Sequence, residues 1–104
     1  MYFIYILRCA DGSLYTGITT DVERRLREHI SKNGKGAKYT RGKTALGMEC
    51  IFKTEDRQSA SKLEYWTKKL TKAQKEKLIS DSDLSVLQGK IELEKYVYYG
   101  KKMS

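Results

Sequence analysis

Two side chains on one short helical stretch invite a chemical reading. In the run from Asp21 to Ile30, Val22, Leu26 and Ile30 recur at four-residue spacing and mark the buried stripe of an amphipathic helix. At about 100° per residue, Arg25 and His29 fall within about 60° of Val22, on the shoulder of that stripe and not on its solvent side. Glu64 stands the same way in a second helical stretch, beside Ala60 and Thr67. Each has a plain explanation on its own. An arginine and a histidine can lie over the edge of a core. A glutamate four residues before Lys68 can make an ion pair worth a few tenths of a kcal/mol. Together with Tyr5 and Tyr15 the set says more: two phenols, a guanidinium, an imidazole and a carboxylate. Hydrolysis of a phosphodiester needs a base for water, a metal for the oxygens and a cation for the developing charge. Magnesium is content with one protein carboxylate, several waters and substrate oxygens.

These side chains act together only if the backbone brings them to one place. Tyr2–Cys9 (YFIYILRC) is aromatic and β-branched and reads as a strand. Ser13–Thr19 reads as a second, and Ala10-Asp11-Gly12 as the turn between them. A two-residue Asp-Gly loop would pair Ala10 with Ser13 and put Tyr5 and Tyr15 on opposite faces. A three-residue loop pairs Cys9 with Ser13 and sets Gly12 in the left-handed position of a bulge. Tyr5 then faces Gly17, Leu7 faces Tyr15, and both tyrosines leave the sheet on one side. Spacing alone leaves the choice open; we predict the second register.

Asp21 is a good N-cap for a helix running to about Ser31, which Asn33-Gly34-Lys35-Gly36 ends. Met48–Thr54 reads as a third strand. Asp56 caps a second helix over about Arg57–Leu70, with Leu63, Trp66 and Leu70 as its apolar stripe. Thr71 caps a third over Lys72–Ile79, with Leu78 and Ile79 turned inward. Beyond Ser80 the pattern weakens. Leu84–Leu87 starts a helical pattern that Gly89 interrupts, and Ile91–Tyr99 fits a strand or a helical turn. The expectation is an α+β fold, a three-stranded antiparallel sheet flanked by helices in the order β-β-α-β-α-α. One domain occupies residues 1–80, and 81–104 form an extension.

At 104 residues the chain has the size of one domain. Apolar residues make up 39%, enough for a core, and no apolar run approaches the roughly 20 residues that span a bilayer. Tyr2–Leu7 lacks the basic flank and cleavage site of a signal peptide, so a cytoplasmic protein is expected. Lys and Arg number 21 against 13 acids, a formal charge of +8, which suits a polyanionic partner. The stretch between the first helix and the third strand carries Lys35, Lys38, Tyr39, Arg41 and Lys43. With Lys68 these are candidate nucleic-acid contacts, Tyr39 being placed to stack on an unpaired base. Contacts to phosphate give affinity without sequence choice. Cys9 and Cys50 stand alone in strands, with no second ligand nearby, and are expected to be reduced and buried.

The residues also resemble a family. Ile4-Tyr5-Ile6-Leu7 and Tyr15-Thr16-Gly17 look like the two motifs of the GIY-YIG nuclease domain, and the resemblance spans about residues 2–80. The helix carrying Arg25 and His29 is similar to the family's arginine helix. Ala60-Ser61-Lys62-Leu63-Glu64 is similar to the helix of its metal-binding glutamate, and Gly36–Arg41 to a segment of its small standalone members. Phe3 replaces the leading glycine, Thr16 an aliphatic residue, and the single asparagine, Asn33, is not late in the domain where many members carry one.

The resemblance implies a metal-dependent endonuclease acting on nucleic acid, DNA ahead of RNA, selective for structure and not for sequence. Glu64 would hold one Mg²⁺ or Mn²⁺, Tyr5 or Tyr15 would take the proton of water, and Arg25 would stabilise charge. His29 would move a proton or bind phosphate, and Gly17 would serve as the motif's structural glycine. A phenol titrates near 10, so the base needs a depressed pKa. DNA repair, recombination and mobile-element proteins all use this domain type. The rival reading is a non-catalytic nucleic-acid-binding module on the same fold. The aromatic tail Tyr96–Tyr99 is a candidate contact for a second copy or a protein partner.

Overall fold

A computed structural model describes residues 1–31 and 44–103. The basic positions Lys35, Lys38, Tyr39, Arg41 and Lys43 lie outside the described residues, as does the Asn33–Gly36 helix stop. The elements run β1 (Tyr2–Cys9), β2 (Leu14–Thr19), α1 (Val22–Ile30), β3 (Ala45–Thr54), α2 (Arg57–Lys69), α3 (Lys72–Asp81), and then, after two short 3-10 turns, β4 (Val97–Met103).

The first hairpin has the predicted register: Tyr5 pairs with Gly17 and Leu7 with Tyr15. Cys9 N–H donates to the Ser13 carbonyl at 3.0 Å, Gly12 N–H donates to the Cys9 carbonyl at 2.9 Å, and Gly12 takes φ +87°. A side chain is strained at that φ, so glycine holds the turn.

The sheet has four strands, not three, in the order β2-β1-β3-β4, all neighbours antiparallel. The tail supplies the extra strand. Its 3-10 turns at Ser85–Leu87 and Leu93–Lys95 replace the helical pattern begun at Leu84, and β4 then pairs along β3. Strand pairing is a tertiary event, and β4 alternates too poorly to announce it (Val97, Tyr98 and Tyr99 are all exposed).

Both faces of the sheet are covered, which is why β1 buries four residues in succession, Ile4–Leu7. Tyr5, Leu7 and Cys9 pack with Val22 and Leu26 of α1 and with Ala45, Met48 and Ile51 of β3. Ile4 and Ile6 pack on the other side with Cys50, Phe52, Ala60 and Leu63. The tail residues Leu84, Leu87, Ile91 and Tyr96 belong to that second cluster. Leu78 is buried in it, with Ile79, Trp66 and Leu70 packed at its margin. The two cysteines are free and buried, and burial pushes the Cys50 thiol up to about 12.

One stripe assignment changes. Ile30 is 40% exposed, and His29 is buried in its place at 3%. At 100° per residue, position 29 returns to within about 20° of Val22, whereas position 30 drifts about 80° away. The helix therefore buries Val22, Leu26 and His29. Among the described residues no helix is long and apolar enough to cross a membrane.

Candidate active site

β2 is an edge strand of the sheet, and α1 and α2 pack on its opposite faces. α1 and α2 both reach round this edge and enclose a cleft of about 400 Å³. Tyr2, Tyr5 and Tyr15 line it from the strands, Arg24 and Arg25 from α1, and Arg57, Ser61 and Glu64 from α2. Tyr5, Tyr15, Arg25 and Glu64, singled out from sequence on separate elements, thus share one cavity.

The two helices are aimed by their caps. Asp21 accepts from Arg24 N–H at 3.1 Å and starts α1, and Asp56 accepts from Ser59 N–H at 2.7 Å and starts α2. Such caps are worth about 1 kcal/mol each. Gly17 lets the site close from below. A Cβ there would sit 2.6 Å from Tyr5 Cζ, so only glycine allows the Tyr5 ring to lie over β2.

His29 lies beneath the cleft and is not part of its wall. Its Nε2 is 2.8 Å from the Tyr5 hydroxyl, a buried hydrogen bond. The rings of Tyr5, Tyr15 and His29 form a cluster with centroids 5.5 to 6.2 Å apart. Burial, helped by the Arg25 charge, lowers the His29 pKa to about 4 and keeps the ring neutral near pH 7. When its proton sits on Nδ1, the neutral ring presents Nε2 as an acceptor to the Tyr5 hydroxyl. The Tyr5 phenol moves against expectation. Burial raises its pKa well above 10, the Tyr15 charge adds to the rise, and Arg25 only partly offsets it. Tyr5 is therefore protonated near pH 7.

The polar groups at the mouth are held in surface pairs. Arg25 Nη1 is 3.3 Å from Glu28 Oε1 and Arg24 Nη1 is 3.7 Å from Glu28 Oε2. Lys68 Nζ is 3.3 Å from Glu64 Oε2, so this proposed nucleic-acid contact shields the carboxylate. Exposed pairs of this kind contribute at most about 1 kcal/mol and exchange readily for a stronger partner.

Among the described residues no three His, Cys, Asp or Glu side chains cluster as a metal cage. The donor set suits a hard divalent ion that keeps its own water and substrate ligands. It offers one partly exposed carboxylate, Glu64, in a cleft that Tyr5, Tyr15 and Ser61 also line.

Among the cleft residues that the sequence reading did not single out are Tyr2, Arg24, Arg57 and Ser61. The last two were within reach of it, because Arg57, Ser61 and Glu64 stand at i, i+4 and i+7 on one helical face.

An antiparallel sheet with two tyrosines on its first hairpin, an arginine helix on one side and a glutamate helix on the other defines a class. The chain belongs to the GIY-YIG catalytic-domain family, which it matches over residues 1–77. Its relatives are small UPF0213 proteins. It is 52% identical over 81 residues to UPF0213 protein YhbQ of Escherichia coli, spanning 78% of this chain and 79% of that one. It is 53% identical over 81 residues to a UPF0213 protein of Yersinia pestis, spanning 78% and 83%. The solution NMR structure of UPF0213 protein BH0048 from Bacillus halodurans is similar at 43% identity and a TM-score of 0.47, covering 77% of this chain and 84% of that one.

Proposed function

We propose that the chain is a divalent-metal-dependent endonuclease that hydrolyses phosphodiester bonds in DNA and selects its substrate by structure. The observation that carries this reading is the meeting of Tyr5, Tyr15, Arg25 and Glu64 in one edge cleft, with His29 bonded to Tyr5 behind it.

Glu64 would hold the ion, giving up its pair with Lys68, and a bound divalent ion would supply charge stabilisation at the reacting phosphate. Arg25 leaves Glu28 for the phosphate, where its planar fork suits two oxygens of the pentacovalent state. Water attacks phosphorus, and its proton passes to a phenolic oxygen. At Tyr5 that is possible only if the phenolic proton moves on at the same time, and His29 Nε2 stands 2.8 Å away to accept it. The entering phosphate also sets a negative charge against Arg25, which relieves part of the pressure holding His29 neutral. Tyr15, whose ring contacts both, is the alternative base or the group that orients the water.

The reading is tested with end-labelled single-stranded, duplex, flap and four-way-junction DNA and a matched RNA, each with Mg²⁺, with Mn²⁺ and with chelator. Cleavage that requires metal and favours one structure is the expected result. Binding that survives chelation, with no cleavage under any metal, would leave the non-catalytic module as the function.

A further inference from the structure

We propose that Arg57 forms a second phosphate subsite, which binds the phosphate next to the scissile one and makes the cleft selective for a chain of phosphates over an isolated phosphodiester. The proposal rests on the nuclease reading for the word scissile, but its binding test does not.

Position is the first argument. Arg57, Ser61 and Glu64 run along one face of α2 and all line the cleft. Seven residues separate Arg57 from Glu64, a rise of about 10 Å along the helix. A phosphate held at Glu64 is therefore not the one Arg57 meets first; its neighbour along the strand is.

Electrostatics is the second. Arg57 is the first residue of α2, where the helix dipole disfavours a cation. The nearest carboxylate in sequence, Asp56, is committed to the Ser59 N–H and hydroxyl at 2.7 and 3.0 Å. Among the described residues no carboxylate lies within ion-pair distance of Arg57, whereas Arg24 and Arg25 both share Glu28. Arg57 is thus an exposed arginine at the unfavourable end of a helix, on a cleft wall and without an ion pair among the described residues. It is suited to an anion that arrives from outside.

Charge supports the same assignment. Of the three arginines that line the cleft, Arg24 and Arg25 are offset by Glu28, which leaves Arg57 as the cleft arginine with no carboxylate in ion-pair distance among the described residues.

The test uses the full chain. Binding of a fluorescent oligonucleotide is measured by anisotropy in chelator over a KCl series, for the wild type, Arg57→Ala and Arg57→Lys. Lys62→Ala serves as the control, removing equal charge from α2 beside a separate hollow. Arg57→Ala should weaken binding about tenfold and reduce the log–log salt slope by about 0.7 to 0.9, one phosphate contact. Arg57→Lys should restore most of the slope, and Lys62→Ala should change it little. Where cleavage is measurable, Arg57→Ala should raise KM on an oligonucleotide without lowering kcat. Its effect on cleavage of a dinucleoside monophosphate should be several-fold smaller than its effect on the oligonucleotide. An unaltered salt slope and affinity in Arg57→Ala would overturn the proposal, as would equal losses in Arg57→Ala and Lys62→Ala. So would an equal loss on the dinucleoside monophosphate, which would place Arg57 on the reacting phosphate. Absence of cleavage under every metal would sink the nuclease reading alone, because the salt slope still decides the subsite.

Discussion

His29 and Tyr5 share one hydrogen between two buried rings, and their environment decides which charge states are allowed there. His29 is 3% exposed and its pKa falls from 6.5 to about 4, so the unfolded chain binds a proton in that interval that the folded chain refuses. Stability from this residue is complete above about pH 6.5 and declines as pH falls towards 4, by an amount on the order of 3 kcal/mol. Urea unfolding between pH 4 and 8 should show that slope, and His29→Gln should flatten it. A wild-type slope unchanged by the substitution would assign the acid sensitivity to other groups. Sequence periodicity put His29 on the shoulder of its helix but offered Ile30 for the core. The reason is angular. A four-residue spacing overshoots the helical repeat by 40° per step, and after two steps the apolar residue has left the face. The hydrogen bond to Tyr5 was hidden for another reason: it joins residues 24 apart in the chain and exists only once α1 lies on the hairpin.

At the scale of elements, the hairpin and the two capped helices were legible because local chemistry fixes them. Asp21, Asp56 and the Thr71–Gln74 capping box each accept or donate within three residues. The register of β1 on β2 matters most for the site, since a slip of one residue would turn Tyr5 and Tyr15 to different faces. Gly17 is where that register meets the chemistry. Gly17→Ala places a methyl against the Tyr5 ring and should cost about 1 to 3 kcal/mol, read as a lower urea midpoint. The same variant should lose cleavage activity beyond what unfolding explains, because the phenol is pushed off His29. Normal activity in the residual folded protein would mean that the position of Tyr5 is not critical. The opposition of α1 and α2 across an open edge was not legible, because β2 is an edge only by virtue of the sheet order.

For the whole molecule, the tail closes the structure. Tyr96 is buried and donates its hydroxyl hydrogen to the Ser59 carbonyl at 2.7 Å, and the Thr54 hydroxyl donates to the Lys95 carbonyl at 2.8 Å. The first bond ties the tail to the first turn of α2, the helix that carries Arg57 and Glu64, and the second ties it to the end of β3. Tyr96→Phe removes the hydrogen bond to Ser59 and should lower stability by about 1 kcal/mol, seen in the thermal midpoint. An unchanged midpoint would mean that apolar contacts alone seat the tail. The family match ends at residue 77, so this clasp lies beyond the matched segment, and no short motif in the tail announced it.

The central claim, that the edge cleft is a hydrolytic site anchored on Glu64, has one direct measurement. Cleavage of labelled DNA by the wild type and by Glu64→Ala is compared across a Mg²⁺ titration, with the fold of both proteins checked by unfolding. Glu64 sits half-exposed in a surface pair with Lys68, so its loss should change stability by less than about 1 kcal/mol. Metal-dependent cleavage by the wild type is expected, with a rate at least about 10³-fold lower in the folded variant at every Mg²⁺ concentration. Undiminished cleavage by Glu64→Ala would contradict that claim.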